Sequence, residues 1–256
     1  MVRTNWIRSW SVIAVAVAIG CGGKPTPAAA GDAAPAPAAA PTSGGRTTIT
    51  GKVVFQGTAP TAAKIKMDAD PVCQQQHAAA VTTREIVVAN GGLQYAFVYV
   101  KDGLAGKSFP TPTTVAVFDQ TGCMYEPHVL GVQAGQPVEI RNSDATLHNV
   151  NAKPTQSAPF NLAMPMKGMK VAKTFAKPEV MVPIKCNVHP WMQAYIGVVD
   201  HPFFAVSGSD GTFTIKGLPA GTYTLAAWHE KLGTQTQTVT VADGGSASAT
   251  FTFQAK

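Results

Sequence analysis

Charge is scarce in this 256-residue chain: Asp, Glu, Lys and Arg together make up 13% of it. Long amphipathic helical patterns are absent, while Gly (24) and Pro (19) are plentiful and β-branched residues recur. That excludes a helical bundle and points to an all-β protein with many turns. There is no Lys/Arg run and no basic stripe interleaved with aromatics, so nucleic acid is not an expected partner. Paired acid/base carboxylates at useful spacing, a complete Gly-x₄-Gly-Lys-Ser/Thr phosphate loop and a Gly-x-Ser-x-Gly elbow are all missing, so no enzymatic role is expected and no catalytic residue is assigned. The apolar stretch from Trp10 to Ile19 is too short to span a bilayer. Cysteine is also rare, with four in all, so each one calls for a chemical account.

The length suffices for one large or two modest domains. Residues 1–20 have the form of a signal peptide, with Arg3 and Arg8 at the positive end of the apolar stretch. It closes on Val17-Ala18-Ile19-Gly20-Cys21, which resembles a bacterial lipobox and implies lipidation of Cys21. The alternative is ordinary signal cleavage and release into the periplasm. Multiple acyl chains on one Cys would make a stable membrane anchor. Residues 21–45, dominated by Ala, Pro, Gly, Thr and Ser, read as a semi-extended tether that cannot bury enough apolar surface to order itself. The formal charge is +6; losing Arg3 and Arg8 with the leader leaves +4, since no acid lies within residues 1–20. A charge that small permits an acidic protein partner.

The chemistry is concentrated in Lys185-Cys186-Asn187-Val188-His189-Pro190-Trp191-Met192. Cys-x₂-His-x₂-Met offers a thiolate, an imidazole and a thioether within seven residues, a set suited to a soft metal that cycles between two oxidation states. A second imidazole, His148, stands 38 residues before Cys186. Two His, one Cys and a weak axial Met form the trigonal ligand set of an electron-transfer copper site. Zinc would waste the Met. A dinuclear copper centre would need a second Cys where Val182 stands. The expected cofactor is therefore one type 1 copper on His148, Cys186, His189 and Met192.

These motifs resemble the cupredoxin (blue copper) family, its amicyanin and plastocyanin members in particular; the short Cys-x₂-His-x₂-Met loop is most similar to the amicyanin form. The stretch Gly135 to Asn142, followed by His148-Asn149-Val150, is similar to the family's strand entering the first ligand. The resemblance covers roughly Thr111 to Asp200. It implies a Greek-key β-sandwich, a periplasmic electron carrier and a redox protein partner, a cytochrome or dehydrogenase. It also implies that His189 lies at the surface and passes electrons, and that Asn149 ties the two ligand loops together. Pro190 and Trp191, bordered by Lys167, Lys170 and Lys185, are the expected docking patch for an acidic partner.

With Cys21 and Cys186 assigned, Cys73 and Cys123 remain for a disulfide in an oxidising compartment. The alternative is a second metal site using Cys123 and His128, or His77. Asp70-Pro71-Val72-Cys73 reads as a capped helical turn, with Asp as cap and Pro at the first position. Met164, Met166 and Met169 offer another role, copper storage or delivery, against a plain loop edge.

Outside the copper region, Thr48–Gly57, a hairpin of Arg84–Val88 with Leu93–Val100, and a hairpin of Phe204–Val206 with Thr212–Ile215 read as strands. Asp210-Gly211-Thr212-Phe213 with Leu218-Pro219-Ala220-Gly221-Thr222-Tyr223 resembles the carboxypeptidase-regulatory, transthyretin-like β-sandwich. The order of these phrases implies a sandwich in two parts, 46–104 and 201–256, split by a copper domain at 105–200. Three serial β units are the alternative arrangement. A carbohydrate- or protein-binding module with a structural copper is the alternative function. For an exported lipoprotein the expected place is the periplasmic face of a bacterial membrane, the outer membrane in a Gram-negative cell.

Overall fold

The computed structural model describes residues 47–255; the leader, Cys21 and the tether lie outside the described residues. In chain order the elements are β1 (Thr47–Gln56), α1 (Pro71–Gln75), β2 (Val88–Ala89), β3 (Gly92–Leu93), β4 (Phe97–Asp102), β5 (Ala116–Thr121), β6 (Met124–Glu126), β7 (Val129–Gln133), β8 (Val138–Arg141), β9 (His148–Ala152), β10 (Phe160–Met164), β11 (Lys170–Lys173), β12 (Glu179–Lys185), β13 (Gln193–Val199), β14 (Phe204–Val206), β15 (Thr212–Leu218), β16 (Gly221–His229), β17 (Gly233–Val241) and β18 (Ser246–Gln254).

The strands form four sheets that pair into two sandwiches. In the first, β10-β9-β12-β13-β7 faces β11-β8-β5-β6. Its core holds Phe118, Tyr125, Val150, Phe175, Ile184 and Ile196. In the second, β1 is flanked by β15 (antiparallel) and β18 (parallel). Opposite it, β4 lies between β14 and β16, with β17 outermost. Strict alternation builds this second core: in β18, Ala249, Phe251 and Phe253 are buried while their neighbours are exposed. Thus β1 and β4, which precede the first sandwich in sequence, sit between strands that follow it.

Close packing makes glycine necessary at the centre of β1. A Cβ on Gly51 would come within 2.3 Å of the Ala249 carbonyl oxygen and of the Phe213 ring. A pair of glycines lies where the two sandwiches meet. Gly131 of β7 and Gly197 of β13 stand in register across a parallel ladder. A Cβ at either would lie within 2.8 Å of the Phe97 ring, and one at Gly131 within 2.5 Å of Phe204. The bare backbone there is the floor on which these two rings rest, amid Val129, Met181 and Val199.

Two expected hairpins differ from what the structure shows. The Asn90-Gly91 turn exists, both residues having positive φ. The strand after it, however, breaks at Tyr95, whose φ of 66° sends β3 into one sheet and β4 into the other. Likewise Asp210 caps a turn through the Thr212 N–H and hydroxyl, but β14 pairs with β4 and β15 with β1, so the arms diverge. Alternating burial defines a strand without saying which sheet it joins.

Candidate metal centre

Three short loops converge at one end of the first sandwich. The β5–β6 hairpin turns on Gly122 and Cys123, both at positive φ. The Asp144 carboxylate accepts the N–H groups of Gly122 (2.9 Å) and Cys123 (2.8 Å), which locks that turn to the β8–β9 loop. The same loop is held from within, since the Asn142 side chain accepts the Asp144 N–H and donates to the carbonyls of Thr146 and Met164. His148 follows at the start of β9, fully buried, with Nε2 2.8 Å from Asp144 Oδ2.

The third loop runs from the end of β12 to the start of β13. Cys186 donates its N–H to the Met192 carbonyl (3.1 Å), Met192 donates to the His189 carbonyl (3.0 Å), and the Cys186 sulfur accepts the His189 N–H (3.4 Å). This closes the loop on itself and buries Cys186, His189 and Met192. Asn149 ties it to β9, its Oδ1 accepting the Asn187 N–H at 3.0 Å.

The ligand atoms of His148, Cys186 and His189 lie within 4.8 Å of one another. His148 Nδ1 is 3.0 Å from His189 Nδ1, and Cys186 Sγ is 4.0 Å from the latter. On the far side, His189 Nε2 lies 3.0 Å from Asp70 Oδ2. An ionised carboxylate only accepts, so each ring carries a proton on Nε2 and turns Nδ1 inward. Two lone pairs facing across 3.0 Å require a cation or a proton between them. Donors held about 2.0–2.3 Å from one ion span at most about 4.6 Å, and the 3.0 Å and 4.0 Å separations about His189 Nδ1 fall inside that limit.

The local electrostatics fit the same conclusion. Burial pushes the Cys186 thiol up, but hydrogen bonds from His148, His189 and nearby N–H groups outweigh it and bring the pKa down to about 6. Burial lowers His148, yet the Asp144 carboxylate and the Cys186 sulfur reverse this and raise it to about 9. Burial also raises Asp144, and the His148, Cys123 and Gly122 donors more than offset it, leaving the carboxyl below its usual range. Both shifts favour a deprotonated sulfur beside a protonated imidazole.

Asp70 and α1 close the site from outside. Asp70 Oδ1 caps the helix through Val72 and Cys73, and Oδ2 takes the Thr146 hydroxyl (2.8 Å) as well as His189. Burial raises Asp70 and these donors lower it further, so it stays ionised. Cys73 and Cys123 are joined (Sγ–Sγ 2.00 Å). Cys73 Sγ lies 3.6 Å from His189 Nε2, and Trp191 packs its ring on His189 while donating Nε1–H to the Cys123 carbonyl (3.0 Å).

This geometry corrects one expectation. His189 is 3% exposed, because α1, the disulfide and Trp191 cover the ring edge expected to face solvent. Pro190, Lys167, Lys170 and Lys185 are exposed and Trp191 is half-buried; Lys170 pairs with Glu139 at 3.4 Å. Met164 is buried and its sulfur takes the Gln120 amide, Met169 is half-buried, and only Met166 of the three is largely exposed. The three methionines thus present no common sulfur face. Cys123 is joined in the disulfide, His128 is paired with Glu230 and His77 with the Gly122 carbonyl, and among the described residues neither His128 nor His77 belongs to a group of ligand atoms close enough to share one ion. Sequence reasoning missed Asp144, four residues before His148, and gave Asp70 no role beyond capping.

Residues 190–254 match the carboxypeptidase regulatory-like domain. The match begins inside the ligand loop and takes in β13 through β18, while β1 and β4, which complete that sandwich, lie outside it. No curated protein matches the chain. Among solved structures, the chain is similar to a copper-containing nitrite reductase from Thermus scotoductus SA-01 (24% identity, TM-score 0.31, 38% of this chain and 25% of that one). It is also similar to a purple cupredoxin from Nitrosopumilus maritimus (20%, 0.28, 32% and 98%) and to amicyanin from Paracoccus versutus (22%, 0.30, 40% and 96%). The chain thus spans about a quarter of the reductase's length.

Proposed function

We propose that this chain is an exported, lipid-anchored protein that holds one type 1 copper and carries single electrons on the periplasmic side of a bacterial membrane. The observation that carries the reading is the convergence of two inward Nδ1 atoms and one thiolate in a buried pocket. His148, Cys186 and His189 would hold the ion, with Met192, buried at the loop's return to β13, as the weak axial donor. Copper bound there would supply a one-electron couple. The chain's own part is to exclude water, keep the thiolate ionised and hold both rings still, which lowers the reorganisation that accompanies a change of charge.

Export and anchoring rest on the leader and on Cys21 in Val17-Ala18-Ile19-Gly20-Cys21. A cytochrome or dehydrogenase is the proposed partner, docking at Pro190 and Trp191 with Lys167, Lys170 and Lys185 steering an acidic surface. Since His189 is covered, the half-buried Trp191 ring that packs on it would link the ligand to this exposed patch. In a second reading, the sandwich that contains the regulatory-like match binds protein or carbohydrate and the copper is structural.

Visible absorption and a reversible redox titration of the copper-loaded chain separate the two. An intense blue or purple colour that bleaches and returns supports the carrier. A colourless, fully loaded protein removes it. Met192→Leu should keep the colour and raise the potential, because losing an axial donor destabilises Cu(II) more than Cu(I).

A further inference from the structure

The two imidazoles are held in matching ways, and both holds run back to one covalent bond. Asp144 grips His148 and also takes the N–H of Cys123; Asp70 grips His189 and also takes the N–H of Cys73. Cys73 and Cys123 are the two halves of the disulfide. Asp70 lies in α1's cap, 119 residues before His189 and outside the ligand loops altogether. A cap needs only one carboxylate oxygen, and Oδ1 serves it; Oδ2 is aimed inward at His189 and the Thr146 hydroxyl. Thr146 lies between Asp144 and His148, so the two grips also touch each other.

We propose that Asp70 and Asp144 are paired positioning residues for the metal-binding imidazoles, and that the Cys73–Cys123 disulfide is the clasp that keeps both carboxylates in place. The inference rests on the metal reading above and extends it to a segment far away in sequence. Each carboxylate fixes the tautomer with Nδ1 inward, strengthens the ring as a donor, and places a negative charge beside the site. Two such charges favour the more highly charged ion, so the potential is set low. The clasp also accounts for the cover over His189, because Asp70 can reach Nε2 only if α1 lies on top of that ring.

The test uses the full chain as Asp70→Asn, Asp70→Ala and the double variant Cys73→Ala/Cys123→Ala. Three readouts are taken: exchange protection of the His189 Nε2 proton by NMR in the metal-free protein, Cu(I) affinity against a chromophoric chelator, and the reduction potential. Asp70→Ala should lose the protected proton and roughly 10–100-fold in affinity. In Asp70→Asn the single amide oxygen can keep the cap on α1 in the place of Oδ1, but Nδ2, itself a donor, then faces His189 Nε2–H, so protection and affinity should fall as in Asp70→Ala while the cap is kept and the potential rises. A role in capping alone would leave that potential unchanged, and this result overturns the proposal. So does an Asp70→Ala protein that keeps both protection and affinity. The double Cys variant, once shown folded, should lose affinity as Asp70→Ala does; affinity equal to wild type overturns the clasp. If wild type shows the protected proton but binds no copper, the positioning stands and the copper reading fails instead.

Discussion

Two buried histidines, one in each sandwich, titrate in opposite directions. His148 beside the candidate metal centre is raised to about 9, whereas His229 in the regulatory-like sandwich is lowered to about 4. Both rings are almost inaccessible, so burial cannot account for the difference. His148 faces Asp144 and the Cys186 thiolate, which stabilise its cation. His229 has burial against it first and then the nearby His128, and its Nδ1 accepts only the Lys231 N–H. His201 follows His229, lowered by burial, with both nitrogens satisfied by backbone. The regulatory-like sandwich keeps its imidazoles neutral as packing, among Phe203, Phe251 and Phe253. The metal-site sandwich devotes Asp144, Asn142, His148 and His189, all buried, to arranging charge. Placing ionised groups in a core is costly unless each is paired, and here His148 has Asp144 and His189 has Asp70.

The sharpest way to break this contrast is Cys186→Ser. It should abolish the ligand-to-metal colour entirely while leaving the melting transition of the metal-free chain close to wild type, as read by visible absorption and calorimetry. Survival of the colour would remove Cys186 from the centre. The converse change is Phe251→Ala on β18, where the ring is 2% exposed and packs beside Phe213. It should cost about 3–5 kcal/mol by chemical denaturation, with the copper spectrum unaltered in the protein that remains folded.

Acid sharpens the comparison next. The native state takes up the His229 proton only near pH 4, while the unfolded chain takes it up near the ordinary value of 6.5. Stability should therefore fall as pH drops from about 6.5 to about 4 and level off below, by roughly 3 kcal/mol from this group. His229→Gln should flatten that limb in pH-dependent denaturation curves; an unchanged limb would assign it to other groups. The smallest effect belongs to the surface. Charge reversal at Lys167 and Lys170 should slow association with an acidic redox partner a few-fold at low salt and leave the spectrum alone, and a rate indifferent to ionic strength would end the steering idea.

The convergence of His148, Cys186 and His189 was legible because the candidate set is nearly contiguous. Cys186, His189 and Met192 share one loop, and a His at the head of a strand is easily paired with it. What surrounds the set was not. Nothing near His189 in sequence announces Asp70, because the contact exists only once the disulfide brings α1 over the ring. The all-β class and most strands followed from alternation, whereas sheet membership did not: Tyr95 switches the chain between sheets by a single backbone angle that no periodicity records. The burial of His189 follows from the same long-range contact, and expecting it at the surface meant reading the loop without its cover.

The register of Gly131 with Gly197 has a mechanical consequence. Phe97 and Phe204 bear directly on bare backbone of β7 and β13, with no side chain between to yield. Swivelling one sandwich about the other would lift those rings off their seat and open a void, which close-packed interiors resist. Since β13 carries on from the ligand loop, a load applied to the outer sheet is transmitted to the strand that anchors Met192. The contact thus opposes any change in the angle between the two sandwiches at the very strand that leads out of the ligand loop.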